Sequence, residues 1–163
     1  MPRTEPRMSA RPQPPAGDPF DWFIRIPNRL NLMRSVRALL ASTCEIHGVD
    51  EDATQEILLA VSEIVNNSIE HVKGRGEDGY HEVDFRFGIG AGSAVGTVLD
   101  EGTGGIVQKD FEGTATPSLE NDRGRGLFLI RAYVDELEVR EIPGIGTEIR
   151  FVKHLRGGAD RGA

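Results

Sequence analysis

The strongest constraint on the fold is the hydrophobic pattern between Asp50 and Gly74. Asp50 is of a residue type that favours helix N-caps, and Gly74 is of a type that ends helices. Apolar or small side chains recur between them at helical spacing, namely Ala53, Ile57, Val61, Ile64, Val65, Ser68 and Val72. The pattern predicts an amphipathic helix of about six turns. Its wide apolar stripe must pack against another layer of the protein.

Shorter patterns on both sides of this helix supply that layer. A strand is predicted over residues 23–26, and a helix with apolar residues at helical spacing follows it up to Gly48. Residues 83–87 and 94–99 are typical of an antiparallel hairpin, residues 127–134 of a short helix, and two further strands follow, the last over residues 147–154. We therefore expect an α+β fold with helices on one face of a mixed, mostly antiparallel sheet.

Composition divides the 163-residue chain into one folded body and two tails. Residues 1–19 carry six of the nine prolines and no aliphatic cluster, and residues 157–163 are rich in glycine and charge. Such segments cannot bury enough apolar surface to offset the entropy lost on ordering, so we expect a disordered and a flexible tail. Residues 20–156 are expected to form one domain.

The charge and cysteine content exclude several classes of protein. A formal net charge of −7 argues against a surface for nucleic acid, which needs a surplus of Lys and Arg. It leaves room for a bound nucleotide, because Mg²⁺ neutralises phosphate charge locally. The sequence contains no apolar run of about 18 residues, so no membrane span is expected. Cys44 is the single cysteine, so a cytoplasmic protein with Cys44 in its core is predicted.

Glu63 and Asn67 are four residues apart on the predicted long helix and therefore project from one face, about one turn apart. Apolar residues on both sides, with the small Ala60 and Ser68 nearby, predict partial burial, and a buried carboxylate needs a partner or a task. A carboxylate beside a phosphate can accept the proton of an incoming hydroxyl, and an amide oxygen can bind Mg²⁺. The alternative is a solvated polar stripe.

A second polar segment follows the predicted strand over residues 94–99. Asp100 stands before Gly102 and Gly104, whose missing side chains would let the backbone pass close to a planar ring. In that arrangement Asp100 could accept a hydrogen bond from an exocyclic amine. The alternative is an ordinary turn, since Asp and Gly are common turn residues.

A third segment immediately precedes the predicted helix over residues 127–134. Gly124 and Gly126 would leave free backbone amides at the positive end of the helix dipole, which is an arrangement that binds phosphate. Arg123 and Arg125 flank these glycines, and a guanidinium matches phosphate oxygens in a bidentate manner. The alternatives are a flexible hinge and two arginines that face solvent.

Taken together and in this order, the three segments resemble the N, G1 and G2 boxes of the GHKL ATPase superfamily. Three stretches are similar in sequence to the anti-sigma regulatory factors with serine/threonine kinase activity: residues 60–71, which begin with AVSE and end with EH, GRGLFLIR at 124–131 and GTE at 146–148. The resemblance implies a two-layer α/β sandwich of the Bergerat type. It also implies that ATP lies between helices and sheet under a lid formed by residues 106–123.

The resemblance assigns roles to these residues. Asn67 would hold Mg²⁺, Glu63 would act as general base and Asp100 would bind the adenine amino group. The remaining positions would shape the pocket or contact phosphate: Gly102, Gly104, Arg123, Gly124, Arg125, Gly126 and Leu127. The implied partners are a sigma factor and an anti-anti-sigma protein of the STAS type, which carries the substrate serine, and a homodimer is expected. The alternative is a regulatory module of the same fold that binds ATP or a partner and phosphorylates nothing.

Overall fold

The computed structural model describes residues 20–27, 30–72, 82–101 and 122–156, which form five strands and three α-helices. The strands are β1 (Trp22–Pro27), β2 (Glu82–Gly90), β3 (Ser93–Asp100), β4 (Glu136–Ile142) and β5 (Gly146–His154). The helices are α1 (Met33–Ile46), which follows a short 3-10 turn at Leu30–Leu32, α2 (Glu51–Val72) and α3 (Asp122–Tyr133). The element order is the one that the hydrophobic patterns predict. None of the described helices is both long and apolar enough to cross a membrane.

The sheet has the strand order β1-β2-β3-β5-β4, and its four pairings are all antiparallel. The predicted mostly antiparallel sheet is therefore confirmed, and the described strands contain no parallel pair. α1 contacts β2, and α2 contacts β2 and β3. The α+β fold, with helices against the sheet, follows from these contacts.

The core lies between the sheet and the helices. Phe85, Phe87 and Phe151 are fully buried on the sheet side, and Trp22 packs edge-on against Phe85 at a ring-centroid distance of 5.2 Å. Helical side chains fill the other side of the core, including Leu40, Ile57, Val61, Ile64, Val65 and Ile69. Cys44 is also fully buried, as the sequence predicts. Burial raises the pKa of its thiol, opposed by a weaker effect of a hydrogen bond with Thr54.

Helix α2 is fixed at its N-terminal half. The Asp50 carboxylate accepts a 2.9 Å hydrogen bond from the amide of Ala53, which confirms the predicted N-cap. Glu56 forms a 2.6 Å ion pair with Lys153 on β5, and Lys153 lies opposite Ala94 near the start of β3. The N-terminal half of α2 is therefore held at the Ser93 end of the sheet.

Two predicted boundaries were wrong near the candidate site. α3 begins at Asp122 rather than at Leu127, so Gly124 and Gly126 lie in its first turns and do not precede it. Each glycine costs a helix only about 1 kcal/mol relative to alanine. The packing of α3 against α2 outweighs that cost. Asp100 is the last residue of β3 rather than the residue after it.

The face of the sheet away from the helices carries a buried carboxylate. Asp84 is buried, and its two oxygens accept hydrogen bonds of 2.8 and 3.2 Å from the guanidinium of Arg25 on β1. The pKa of Arg25 is raised, chiefly by this hydrogen bond. The pair joins the edge strand β1 to β2.

Replacing Arg25 with glutamine is expected to lower the free energy of unfolding by about 1 to 2 kcal/mol, because a buried carboxylate loses charged donors that water only partly replaces. Urea denaturation followed by the fluorescence of Trp22, the single tryptophan, measures the change. Arg140→Gln is the matched control, since Arg140 pairs on the surface with Glu138 two residues away. An equal decrease in the free energy of unfolding of both variants would show that the buried pair of Arg25 and Asp84 stabilises the protein no more than a surface pair does.

Candidate nucleotide site

Helices α2 and α3 meet where Gly126 approaches Glu63 and Asn67. A Cβ atom placed on Gly126 would lie 2.6 Å from Oε2 of Glu63 and 3.8 Å from Nδ2 of Asn67. Gly126 is buried, and the side chains of Glu63 and Asn67 are half-buried. The structure therefore brings together three residues that the sequence separates into two motifs. Only a residue without a side chain permits this approach.

Replacing Gly126 with alanine is expected to leave the protein folded and to displace the Glu63 carboxylate. The clashing atom is the far end of a flexible side chain, which can move, so the melting temperature should change little. Any reaction that requires Glu63 at this place should slow by at least about tenfold, since small misplacements of a reacting group are costly. Thermal unfolding and phosphate transfer from ATP to a partner serine measure the two effects.

Gly90→Ala is the control for this substitution. Gly90 ends β2, and a Cβ atom there would meet no atom within 4 Å. Gly90→Ala is expected to retain wild-type stability and activity. Unchanged phosphate transfer in Gly126→Ala would contradict the functional importance of the contact with Glu63.

Asp100 forms the second part of the site. It is 1% exposed and lies at the end of β3, directly opposite Thr147 on β5, which is also buried. A Cβ atom on Gly146 would overlap the carbonyl oxygen of Asp100 and would lie 2.9 Å from Cα of Glu101. Glycine at position 146 thus lets β5 approach the end of β3. No role is assigned to Thr147 from the sequence. The signal that could have found it is the register of β3 and β5, which pairs Thr147 with Asp100.

The lengths of α2 and β3 allow both parts of the site to lie at the same end of the sheet. From Glu56 to Asn67, α2 advances by about 16 Å. From Ala94 to Asp100, β3 advances by about 20 Å. Because Glu56 is anchored at the level of Ala94 through Lys153, a helix axis aligned with β3 would bring Asn67 close to the level of Asp100. A ligand between α2 and the sheet would therefore reach both.

Several predicted site residues lie partly or wholly outside the described part of the chain. Gly102 and Gly104 lie outside it, as does most of the predicted lid. Arg123, Gly124 and Arg125 belong to the first turn of α3, and the structure does not describe the arginine side chains. The first-turn amides of a helix have no partner within the helix. Leu127 is half-buried and packs against the core.

The described residues suit a nucleotide with its metal better than they suit a metal alone. They include no cluster of three or more His, Cys, Asp or Glu side chains that could hold a metal ion. Mg²⁺ commonly takes only one or two oxygen ligands from a protein and the others from phosphate and water, and the Asn67 amide can supply such a ligand. Asp100 adds a buried acceptor for an amine. The donor set therefore fits ATP with Mg²⁺.

A depression of about 610 Å³ lies elsewhere on the molecule. It is lined by residues at the Ser93 end of the sheet, including Ile89, Ser93, Glu136 and His154. Asp100 is at the opposite end of β3. This depression is therefore separate from the site formed by Glu63, Asn67 and Asp100.

The family model of the histidine kinase-like ATPase domain matches residues 26–153. The chain belongs to this family, whose members use ATP.

Characterised relatives cover most of the domain. The serine-protein kinase RsbW of Bacillus subtilis (strain 168) is 28% identical over 140 residues, which make up 82% of this chain and 85% of that protein. The anti-sigma F factor of Caldanaerobacter subterraneus subsp. tengcongensis is 35% identical over 102 residues, which make up 61% of this chain and 69% of that protein.

The fold also matches a solved structure. A crystal structure of the RsbU and RsbW domains from Mycobacterium tuberculosis matches with a TM-score of 0.60 and 23% sequence identity. The match covers 82% of this chain but only 31% of that longer chain. It supports the α+β fold that the sequence predicts.

Proposed function

We propose that this protein is an ATP-dependent serine-protein kinase that phosphorylates an anti-anti-sigma partner of the STAS type. We also propose that the protein sequesters a sigma factor once that partner is phosphorylated. The observation that carries the proposal is the position of the Glu63 carboxylate, which lies beside Asn67 and against Gly126 at the start of α3. The similarity to RsbW and to anti-sigma F factors supports the choice of substrate and partners.

Binding of ATP is assigned to both parts of the site. Asp100 accepts a hydrogen bond from the adenine amino group, and its burial excludes water that would compete for this bond. Asn67 offers its amide oxygen to Mg²⁺. The amides of Gly124 and Arg125 in the first turn of α3 face the phosphates, where the positive end of the helix dipole favours negative charge. Gly102, Gly104 and Leu127 shape the pocket, and Arg123 and Arg125 contact phosphate.

Glu63 is assigned the chemical step. Its carboxylate accepts the proton of the partner's serine hydroxyl while the hydroxyl oxygen forms a bond to the γ-phosphorus and the bond to ADP breaks. Gly126 keeps space free beside Oε2 of Glu63, so that the carboxylate can face the phosphates at the start of α3. Bound Mg²⁺ supplies positive charge that offsets the negative charge of the phosphates.

The proposal also includes the domain bounds and a cellular setting, in which the homodimer is an expectation from the resemblance to the family. Residues 20–156 are assigned as one kinase domain, and residues 1–19 and 157–163 lie outside it. The protein works in the cytoplasm as a homodimer, with regulatory proteins as partners and no direct contact with nucleic acid or a membrane.

Phosphate transfer to a partner serine tests the proposed function. The purified chain is incubated with γ-labelled ATP, Mg²⁺ and a candidate STAS-type partner protein, and the labelled residue is identified by mass spectrometry. We expect one labelled serine and no label when that serine is replaced by alanine. ATP binding without any serine label would contradict the kinase assignment and would favour a regulatory module that binds ATP without catalysis.

A further inference from the structure

Ser68 carries a buried hydroxyl that the structure leaves unsatisfied. Its side chain is 1% exposed, and its Oγ has no hydrogen-bond partner among the residues that the structure describes. Buried hydroxyl groups in folded proteins are nearly always hydrogen-bonded, because an unmade bond costs the full desolvation of the group. A group of this kind calls for a partner that the protein chain does not supply.

Other helical hydroxyls of this protein show that a local partner is available in principle. The hydroxyls of Thr43 on α1 and Ser62 on α2 donate to the carbonyl oxygens of Leu39 and Leu58, four residues earlier, at 2.8 and 2.6 Å. Ser68 makes no such bond within the described chain. Its hydroxyl is therefore free to bind a ligand.

Ser68 lies on the buried side of α2, one residue after Asn67 of the proposed nucleotide site. It follows the core residues Ile64 and Val65 by four and three residues, so it shares their face of α2. From Glu56, which is anchored at the level of Ala94, α2 advances by about 18 Å to Ser68. β3 advances by about 20 Å from Ala94 to Asp100. A helix axis aligned with β3 would therefore bring Ser68 near the level of the buried Asp100.

Asn66 has the second buried unpartnered oxygen of the described residues, its Oδ1. It precedes Ser68 by two residues, which places it about 200° around the helix, on the side away from the sheet. Asn66 is therefore not a candidate for the same contact.

We propose that Ser68 is a specificity-determining residue that hydrogen-bonds to the base of the bound nucleotide, next to the contact made by Asp100. This inference rests on the proposed ATP site. A hydroxyl can donate to a ring nitrogen and can accept from an amino group, and adenine offers both on its edge. The buried hydroxyl is unsatisfied in the free protein and satisfied in the complex.

The substitution Ser68→Ala tests this role through the affinity for nucleotide, which should fall, and through the melting temperature of the nucleotide-free protein, which should not fall. Isothermal titration calorimetry should show that the affinity for ATP falls by roughly 3- to 10-fold, as expected for one lost hydrogen bond. The affinity for ADP should fall by the same factor, because the base is common to both ligands. The melting temperature of the nucleotide-free protein should stay the same or rise, because the substitution removes an unsatisfied polar group.

Thr43→Val is the matched control. Thr43 is a buried hydroxyl residue with two partners, since it also accepts a 2.9 Å hydrogen bond from Nε1 of Trp22. We expect a lower melting temperature and unchanged ATP affinity in this variant. The control therefore shows how the melting temperature and the ATP affinity change when a hydroxyl with a purely structural role is removed.

Two outcomes would contradict the role of Ser68 and leave the proposed ATP site standing. One is wild-type affinity for ATP and ADP in Ser68→Ala while the wild-type protein binds both. The other is a lower melting temperature with unchanged affinity, as in Thr43→Val. Absence of ATP binding by the folded wild-type protein would overturn the proposed function together with this inference.

Discussion

Replacing Glu63 with glutamine is expected to slow phosphate transfer to the partner serine by about 10²- to 10⁴-fold, the range that general acid–base catalysis commonly contributes. The amide has nearly the size and shape of the carboxylate, so it fits beside Gly126, but it cannot accept the serine proton. Single-turnover transfer at saturating ATP and partner measures the rate. Calorimetry should show an ATP affinity close to that of the wild-type protein.

Glu56→Gln is the control for Glu63→Gln. Glu56 is another carboxylate on α2, but it pairs with Lys153 at the far end of the sheet from Asp100. We expect it to keep the wild-type transfer rate. A Glu63→Gln variant that transfers phosphate within a few-fold of wild type would show that positioning and positive charge account for catalysis without a protein base.

Replacing Gly146 with alanine is expected to lower the free energy of unfolding by about 3 kcal/mol or more, in the range of severe overpacking. The added Cβ atom would overlap the carbonyl oxygen of Asp100 and press on Cα of Glu101. Both are backbone atoms, which cannot rotate away as a side-chain end does. Urea denaturation followed by Trp22 fluorescence measures the loss, and any folded fraction should bind ATP weakly because Asp100 is displaced.

Gly90→Ala provides the comparison for Gly146→Ala. Gly90 lies at the end of β2, where an added Cβ atom meets open space. We expect its free energy of unfolding to match that of the wild-type protein. Equal stability of the two variants would show that β5 can move away from the end of β3 at little cost, contrary to the close packing described above.

The sequence predicted the features that depend on local patterns. The length of α2 and its cap at Asp50 follow from apolar spacing and from a side chain that bonds to the backbone three residues later. The β2–β3 hairpin follows from alternation on both sides of a short glycine-containing turn. The shared helical face of Glu63 and Asn67 follows from a spacing of four residues.

Features that depend on long-range packing could not be predicted in the same way. The contact of Gly126 with Glu63 joins two helices that are far apart in the chain, and no local pattern encodes it. The early start of α3 depends on packing that outweighs two glycines. Ser68 fits the spacing of the apolar stripe, so only the structure reveals that its hydroxyl has no partner within the described chain.

Titration of the purified protein with ATP in the presence of Mg²⁺ tests the central claim most directly, namely that one ATP site is formed by Glu63, Asn67 and Asp100. Calorimetry should show binding of one ATP per chain that is lost in Asn67→Ala and in Asp100→Asn, while circular dichroism shows that both variants remain folded. ATP should also raise the melting temperature of the wild-type protein. No binding at millimolar ATP by the folded wild-type protein, or full binding by both variants, would contradict the assignment.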